Sequence, residues 1–106
     1  MIIATQTESK LYSYSRLYVG NSRTEVIYLG YPLELTKKEY FILYTLLENV
    51  SKPLSAKELI KITNTTMTKK NVVYHVSSIN RKAKKIGKRK IIHNRSKIGY
   101  FLNEEM

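Results

Sequence analysis

The sequence predicts an α+β domain in which a small N-terminal antiparallel sheet precedes three helices and a closing β-hairpin. Three observations carry this. Residues 11–19 alternate in strand fashion, with Leu11, Ser13, Ser15, Leu17 and Val19 on one side and Tyr12, Tyr14, Arg16 and Tyr18 on the other. Two capping boxes, Thr36 with Glu39 and Ser55 with Glu58, mark helix starts. Val72, Val76, Ile79, Ala83 and Ile86 recur at spacings of 4, 3, 4 and 3, a single helical stripe.

The elements follow in order. Residues 1–10 are polar and aperiodic and read as a flexible tail, leaving 11–106 as one domain. Gly20-Asn21-Ser22 signals a turn, Glu25 to Leu29 the return strand, Gly30-Tyr31-Pro32 another turn, and Leu33-Glu34-Leu35 a short third strand. The first helix is expected from Lys37 to Asn49. It carries Tyr40, Leu43, Tyr44, Leu47 and Val50 on one side and Ile42 and Leu46 on the other, so it calls for burial on both sides. Ser51-Lys52-Pro53 breaks it. The second helix, with Leu59, Ile60 and Ile62, ends near Thr63-Asn64. The third runs from about Thr68 to Ile86 and stops at Gly87. Lys90 to Asn94, a polar turn at Arg95-Ser96-Lys97, and Ile98 to Leu102 form the hairpin.

Charge is distributed unevenly. Residues 1–58 hold seven basic and six acidic side chains, a net +1; residues 59–106 hold twelve and two, a net +10. No Asp or Glu lies between Leu59 and Asn103. A one-sided positive field attracts polyanions. The face of the third helix opposite its apolar stripe is read as Lys70, Tyr74, Ser77, Ser78, Arg81, Lys84 and Lys85, polar and basic throughout. Such a helix suits the major groove of B-DNA, where donors meet bases and phosphates. Lys84 and Lys85, followed by Lys88, Arg89 and Lys90, suit phosphates, which set affinity and register. Arg95 and Lys97 place charge at the hairpin turn, where arginine suits a narrow A·T-rich minor groove.

Other classes fare worse. With no cysteine, no glycine-rich phosphate loop, no clustered carboxylates and two histidines not at ligand spacing, no enzyme, cofactor or metal is expected. No apolar run approaches a membrane span, and the first residues do not form a signal peptide, so a cytoplasmic, nucleoid-associated protein is expected. Two alternatives remain open: a basic RNA- or ribosome-binding protein, and a protein-interaction module such as an adaptor or anti-activator. At single residues, His75 reads as a phosphate contact or a structural histidine, Tyr74 as a groove contact or partner packing, and Arg95 as a groove reader or a plain turn charge.

Helix, short helix, basic helix and hairpin in that order make a winged helix-turn-helix. With the preceding sheet, the sequence resembles the OmpR/PhoB-type DNA-binding domain of bacterial response regulators. The resemblance rests on Leu35-Thr36-Lys37-Lys38-Glu39-Tyr40, on Ser55-Ala56-Lys57-Glu58-Leu59, on Val72-Val73-Tyr74-His75-Val76 with Ile79 and Lys82, and on Arg95 with Gly99-Tyr100. It implies a sequence-specific, double-stranded-DNA-binding transcription regulator, dimeric and head-to-tail on repeat sites. Its third helix would enter the major groove, and its hairpin would form a wing beside the minor groove. Lys70 falls where the family often has a basic contact, His75 at the phosphate-touching histidine, Ser77 and Ser78 at positions that often carry arginine, and Arg95 at the wing arginine. Tyr12, Tyr14 and Tyr18 are candidates for the dimer surface.

Departures from the family pattern are specific. Tyr74 replaces a small aliphatic and Asn80 an arginine. The wing turn is one residue longer. The segment Thr63–Lys69 is shorter and lacks the family tryptophan. In the family that segment can contact RNA polymerase, and its shortening argues against that partner. These 106 residues leave no room for the family's phosphate-accepting receiver domain, so either a standalone regulator or an excised effector domain is expected.

Overall fold

The computed structural model describes residues 12–20, 22, 24–63 and 66–104, the side chain of Tyr12 excepted. The expected tail at 1–10 lies outside them, as do Leu11, Asn21 and Asn64.

Alternating burial builds the first sheet. Strands β1 (Tyr12–Tyr14), β2 (Leu17–Val19), β3 (Val26–Tyr28) and β4 (Tyr31–Pro32) lie in sequence order, each antiparallel to the next. Leu17, Val19, Val26 and Tyr28 point into the core, while Tyr18 and Ile27 point out. The expected single strand over 11–19 is instead a hairpin. Ser15 takes a left-handed φ of 57°, and the Arg16 carbonyl accepts from Leu29 N–H at 3.0 Å. No Gly or Pro announces this turn, so the alternation reads through it. The β3–β4 link is a two-residue turn with positive φ at both Leu29 and Gly30, the mirror-image geometry that suits twisted hairpins. The expected strand at Leu33–Leu35 does not form. Leu33 and Leu35 are buried, yet the ladder sits two residues earlier, and Pro32 occupies the edge where its missing N–H costs nothing.

Helix α1 (Lys37–Glu48) opens on the expected box: Thr36 Oγ1 accepts from Glu39 N–H, and Glu39 Oε1 accepts from Thr36 N–H at 3.0 Å. Tyr40, Ile42, Leu43, Leu46 and Leu47 are all buried, so the helix is covered on both sides as its pattern demands. Tyr40 Oη donates to the Gly20 carbonyl at 2.8 Å, tying α1 to the sheet. Val50 falls beyond the helix and is exposed. Helix α2 (Ala56–Thr63) opens on Ser55 and Glu58 and buries Leu59.

Helix α3 (Lys69–Gly87) has Thr68 as N-cap and closes a third box with Asn71, whose amide stands in for the usual Glu or Gln. Gly87 does not stop the helix. The left-handed cap is Lys88, at φ 65°, and Gly87 is instead where α3 meets the sheet: a Cβ there would collide with the Tyr28 ring and Leu29.

The hairpin pairs β5 (Ile92–Arg95) with β6 (Gly99–Leu102). Beyond β6, Leu54 exchanges both backbone hydrogen bonds with Tyr100, at 2.7 and 2.9 Å. Buried residues from both sheets and all three helices form one continuous core.

Candidate nucleic-acid interface

The exposed arc of α3 is delimited by two buried polar side chains. The stripe Val72, Val76, Ile79 and Ala83 is buried, with Ile86 half-buried. Opposite it, Lys70, Val73, Tyr74, Ser77, Arg81, Lys84 and Lys85 are exposed. At about 100° per residue they cover an arc roughly 120° wide. Ser78, expected on this arc, is only 4% exposed and belongs to the packed side. The reason is its neighbour α1: Ser78 faces the Glu39 carboxylate, and Arg81 Nη2 donates to Ser78 Oγ at 3.3 Å. The arc is also less polar than its sequence suggests, because Val73 stands 53% and Tyr74 64% exposed.

Glu39 clamps that edge. Its Oε1 accepts from Lys82 Nζ at 2.7 Å while completing the α1 capping box. Burial by itself pushes the Glu39 carboxyl up. The hydrogen bonds from Lys82, Ser78 and the Thr36 backbone, with the Lys82 charge, outweigh burial and hold it below its ordinary value.

Asn80 clamps the other edge. Its Oδ1 accepts from Ile91 N–H at 3.0 Å and Ile92 N–H at 2.9 Å, and its Nδ2 donates to the Ile92 carbonyl at 2.9 Å. All three groups are buried. The residue that departs from the family pattern therefore sets how the hairpin sits against the helix. Its signal in sequence was only the departure itself. Between helix and hairpin runs a cleft of about 260 Å³, lined in part by Val73, Ser77, Asn80, Lys90 and Asn94.

On the hairpin, Arg95 and Lys97 are exposed, Lys97 at the tip with φ 66°. The Arg95 guanidinium lies over the Phe101 ring, 5.7 Å from its centroid, and His93 stacks on the same ring. Arg95 thus has a preferred perch on the outer face of the hairpin. His75 is half-buried at the edge of α3, with Nδ1 buried and unpartnered and the Tyr74 ring edge-on at 5.4 Å. Of the three N-terminal tyrosines, Tyr14 and Tyr18 do not share a face. Tyr14 pairs with buried Leu17 and packs on the core, whereas Tyr18 is 51% exposed. The single tyrosine face expected from the alternation is split by the turn at Ser15.

Among the described residues, no helix is long and apolar enough to cross a membrane, and no cluster of His and carboxylates could hold a metal.

Residues 30–102 match the family described as "transcriptional regulatory protein, C terminal". No curated protein sequence matches the chain. Several solved structures share the fold. One is the DNA-binding domain of the response regulator AdeR in complex with an intercistronic region (TM-score 0.76, 24% identity, 87% of this chain and 98% of that one). Another is the DNA-binding domain of Escherichia coli CadC (0.74, 20% identity, 90% and 94%). A third is a streptococcal redox sensor described as evolved from two-component response regulators (0.75, 21% identity). It is covered over 43% of its length by 90% of this chain. At these identities the likeness is one of fold. The family match, three helices, N-terminal four-stranded sheet and C-terminal hairpin together settle the class: the chain belongs to the C-terminal, OmpR/PhoB-type winged-helix family of DNA-binding transcriptional regulators.

Proposed function

We propose that the chain binds specific double-stranded DNA with α3 in the major groove and the β5–β6 hairpin as a wing at the minor groove. The observation that carries this is the basic track on the exposed arc. Lys70, Arg81, Lys84 and Lys85 line one side of α3, Lys88, Arg89 and Lys90 continue it, and Arg95 and Lys97 extend it onto the wing. Of the carboxylates near α3, Glu39 is buried against Lys82, and Glu34 lines a cleft at the edge of the arc with Lys82 and Lys85. Lys70, Tyr74 and Ser77 lie in the first two and a half turns and face base edges. Arg81, Lys84, Lys85 and His75 serve phosphates. Arg95, lifted from Phe101, reads the width of the minor groove.

Binding as a head-to-tail dimer on repeat sites is part of the same reading. Its support is the outer face of the first sheet, where exposed Tyr18 lies opposite Ile27 and Pro32 lies beside them. RNA polymerase as a partner has no comparable support, since the segment joining α2 to α3 is short.

Selection from a randomised duplex pool, with salt titration of the winners, tests the proposal. A discrete motif bound with a steep salt dependence and weakened by Lys70→Ala or Arg95→Ala is the expected result. Motif-free binding of equal strength to DNA and duplex RNA overturns it, because the deep A-form groove bars α3 from base edges.

A further inference from the structure

Val73 and Tyr74 pose a problem that basic charge does not answer. Each stands more than half exposed on a helix whose other apolar side chains are buried or half-buried. Both lie on the arc with Lys70 and Ser77, within the first two turns of α3. From Lys70 to Ser77 the rise is about 10 Å, which fits inside a major groove about 12 Å wide. Arg81 and the lysines beyond it lie further along the axis, towards the flanking phosphates. The groove-facing stretch therefore offers one ammonium, one serine hydroxyl, one phenol and two apolar surfaces. It holds no Arg, and its one carboxamide, Asn71, is held in the N-cap box. The arginine fork for guanine and a free carboxamide for adenine are missing from it, which leaves Lys70 as its one reader of a guanine edge. What it can recognise by shape is the C5-methyl of thymine, the apolar mark in the major groove.

Resting on the DNA-binding reading above, we infer that Val73 and Tyr74 form a thymine-methyl-reading surface and are the main specificity-determining residues of α3. Lys70 flanks the patch, and Arg81 with the lysines beyond it holds the helix on the flanking phosphates, so the occupant of this apolar patch is an anion that carries methyl groups. A second protein copy or another protein partner would have to accept that basic surround. The two side chains sit at different angles on the helix, with Val73 on the wing side beside Ser77 and Tyr74 on the α1 side near His75. They therefore read different base pairs.

The test uses the selected duplex with each thymine replaced singly by deoxyuridine, which removes the methyl and leaves pairing intact. Binding is followed by fluorescence anisotropy with the full chain. One to three major-groove thymines per half-site are expected to lose affinity by about three- to fivefold each, the scale of uncovering one methyl group. In Val73→Ala and Tyr74→Ala, thymine and uracil duplexes are expected to bind equally at the position each residue reads, with the thermal midpoint unchanged. The inference is overturned if specific binding persists with no uracil effect. It is also overturned if the effect survives both substitutions, or if they change only the association of two proteins. If the wild-type chain selects no motif at all, the DNA-binding proposal fails first and the inference falls with it.

Discussion

Replacing Asn80 by alanine tests the claim that one buried amide sets the wing against the recognition helix. The side chain is 8% exposed and makes three hydrogen bonds of 2.9–3.0 Å to the backbone at Ile91 and Ile92. Alanine leaves two buried N–H groups and one carbonyl without that partner. Each orphaned group costs about 1–3 kcal/mol. Neighbouring terms do not add fully, and local relaxation recovers part, so a net loss of roughly 2–4 kcal/mol is expected. For a domain of this size that lowers the thermal midpoint by about 10–25 °C. The diagnostic assay is amide hydrogen exchange: protection at Ile91 and Ile92 should fall further than protection across α1. Asn80→Asp keeps the acceptor for both N–H groups and loses the donor, so it should retain more of that protection. A midpoint within about 0.5 kcal/mol of wild type, or uniform loss of protection, would refute the reasoning.

Further predictions follow from other sites. The Glu39 carboxyl is held below its ordinary 4.5, so the native state binds its proton less readily than the unfolded chain does. Its contribution is fully present above that ordinary value and is lost as pH falls through the depressed native one. Glu39→Gln should flatten the acid limb of a midpoint-against-pH curve and, at neutral pH, cost about 1–3 kcal/mol by unpairing Lys82. Gly99 has φ 129°, and a Cβ there would come within 2.6 Å of the Leu54 backbone. Gly99→Ala should therefore destabilise by about 2–4 kcal/mol in chemical denaturation. Lys84→Ala, at a phosphate, should reduce the salt slope of DNA binding by about one; Lys70→Ala, at a base edge, should cost about 1–3 kcal/mol and relax specificity at one position, and Arg95→Ala should cost about 1–3 kcal/mol, most on A·T-rich flanks. Tyr18→Ala should abolish cooperativity between half-sites with single-site affinity unchanged. Tyr14→Ala should lower stability instead, as measured by thermal melting, because Tyr14 packs on the core.

Much of the fold was legible because its signals are local. The capping boxes at Thr36 and Ser55 need only a hydroxyl and a carboxylate three residues apart, and both occur in the structure. The 4-3-4-3 stripe of α3 located its buried side for the same reason. Several features escaped, among them the following. The turn at Ser15-Arg16 uses no Gly or Pro, so a hairpin read as one strand and the tyrosines were assigned to one face. Asn71 completes a cap box without an acidic side chain. Lys88, not Gly87, adopts the left-handed cap.

By itself, the sequence determined the order of the helices and the closing hairpin, the apolar side of each helix, and the concentration of positive charge in the C-terminal half. These follow from spacing and composition, which a single chain carries wherever it folds. Only the tertiary structure decided where the exposed arc of α3 begins and ends. Ser77 and Ser78 are one residue apart and chemically identical, yet one faces solvent and the other meets the Glu39 carboxylate. Asn80 became the wing's anchor because the Ile91 and Ile92 backbone comes to rest beside it, eleven and twelve residues along the chain. Periodicity names a helix face to within about one residue's rotation; which element packs against each edge is settled by long-range contacts, and those appear only when the chain has closed.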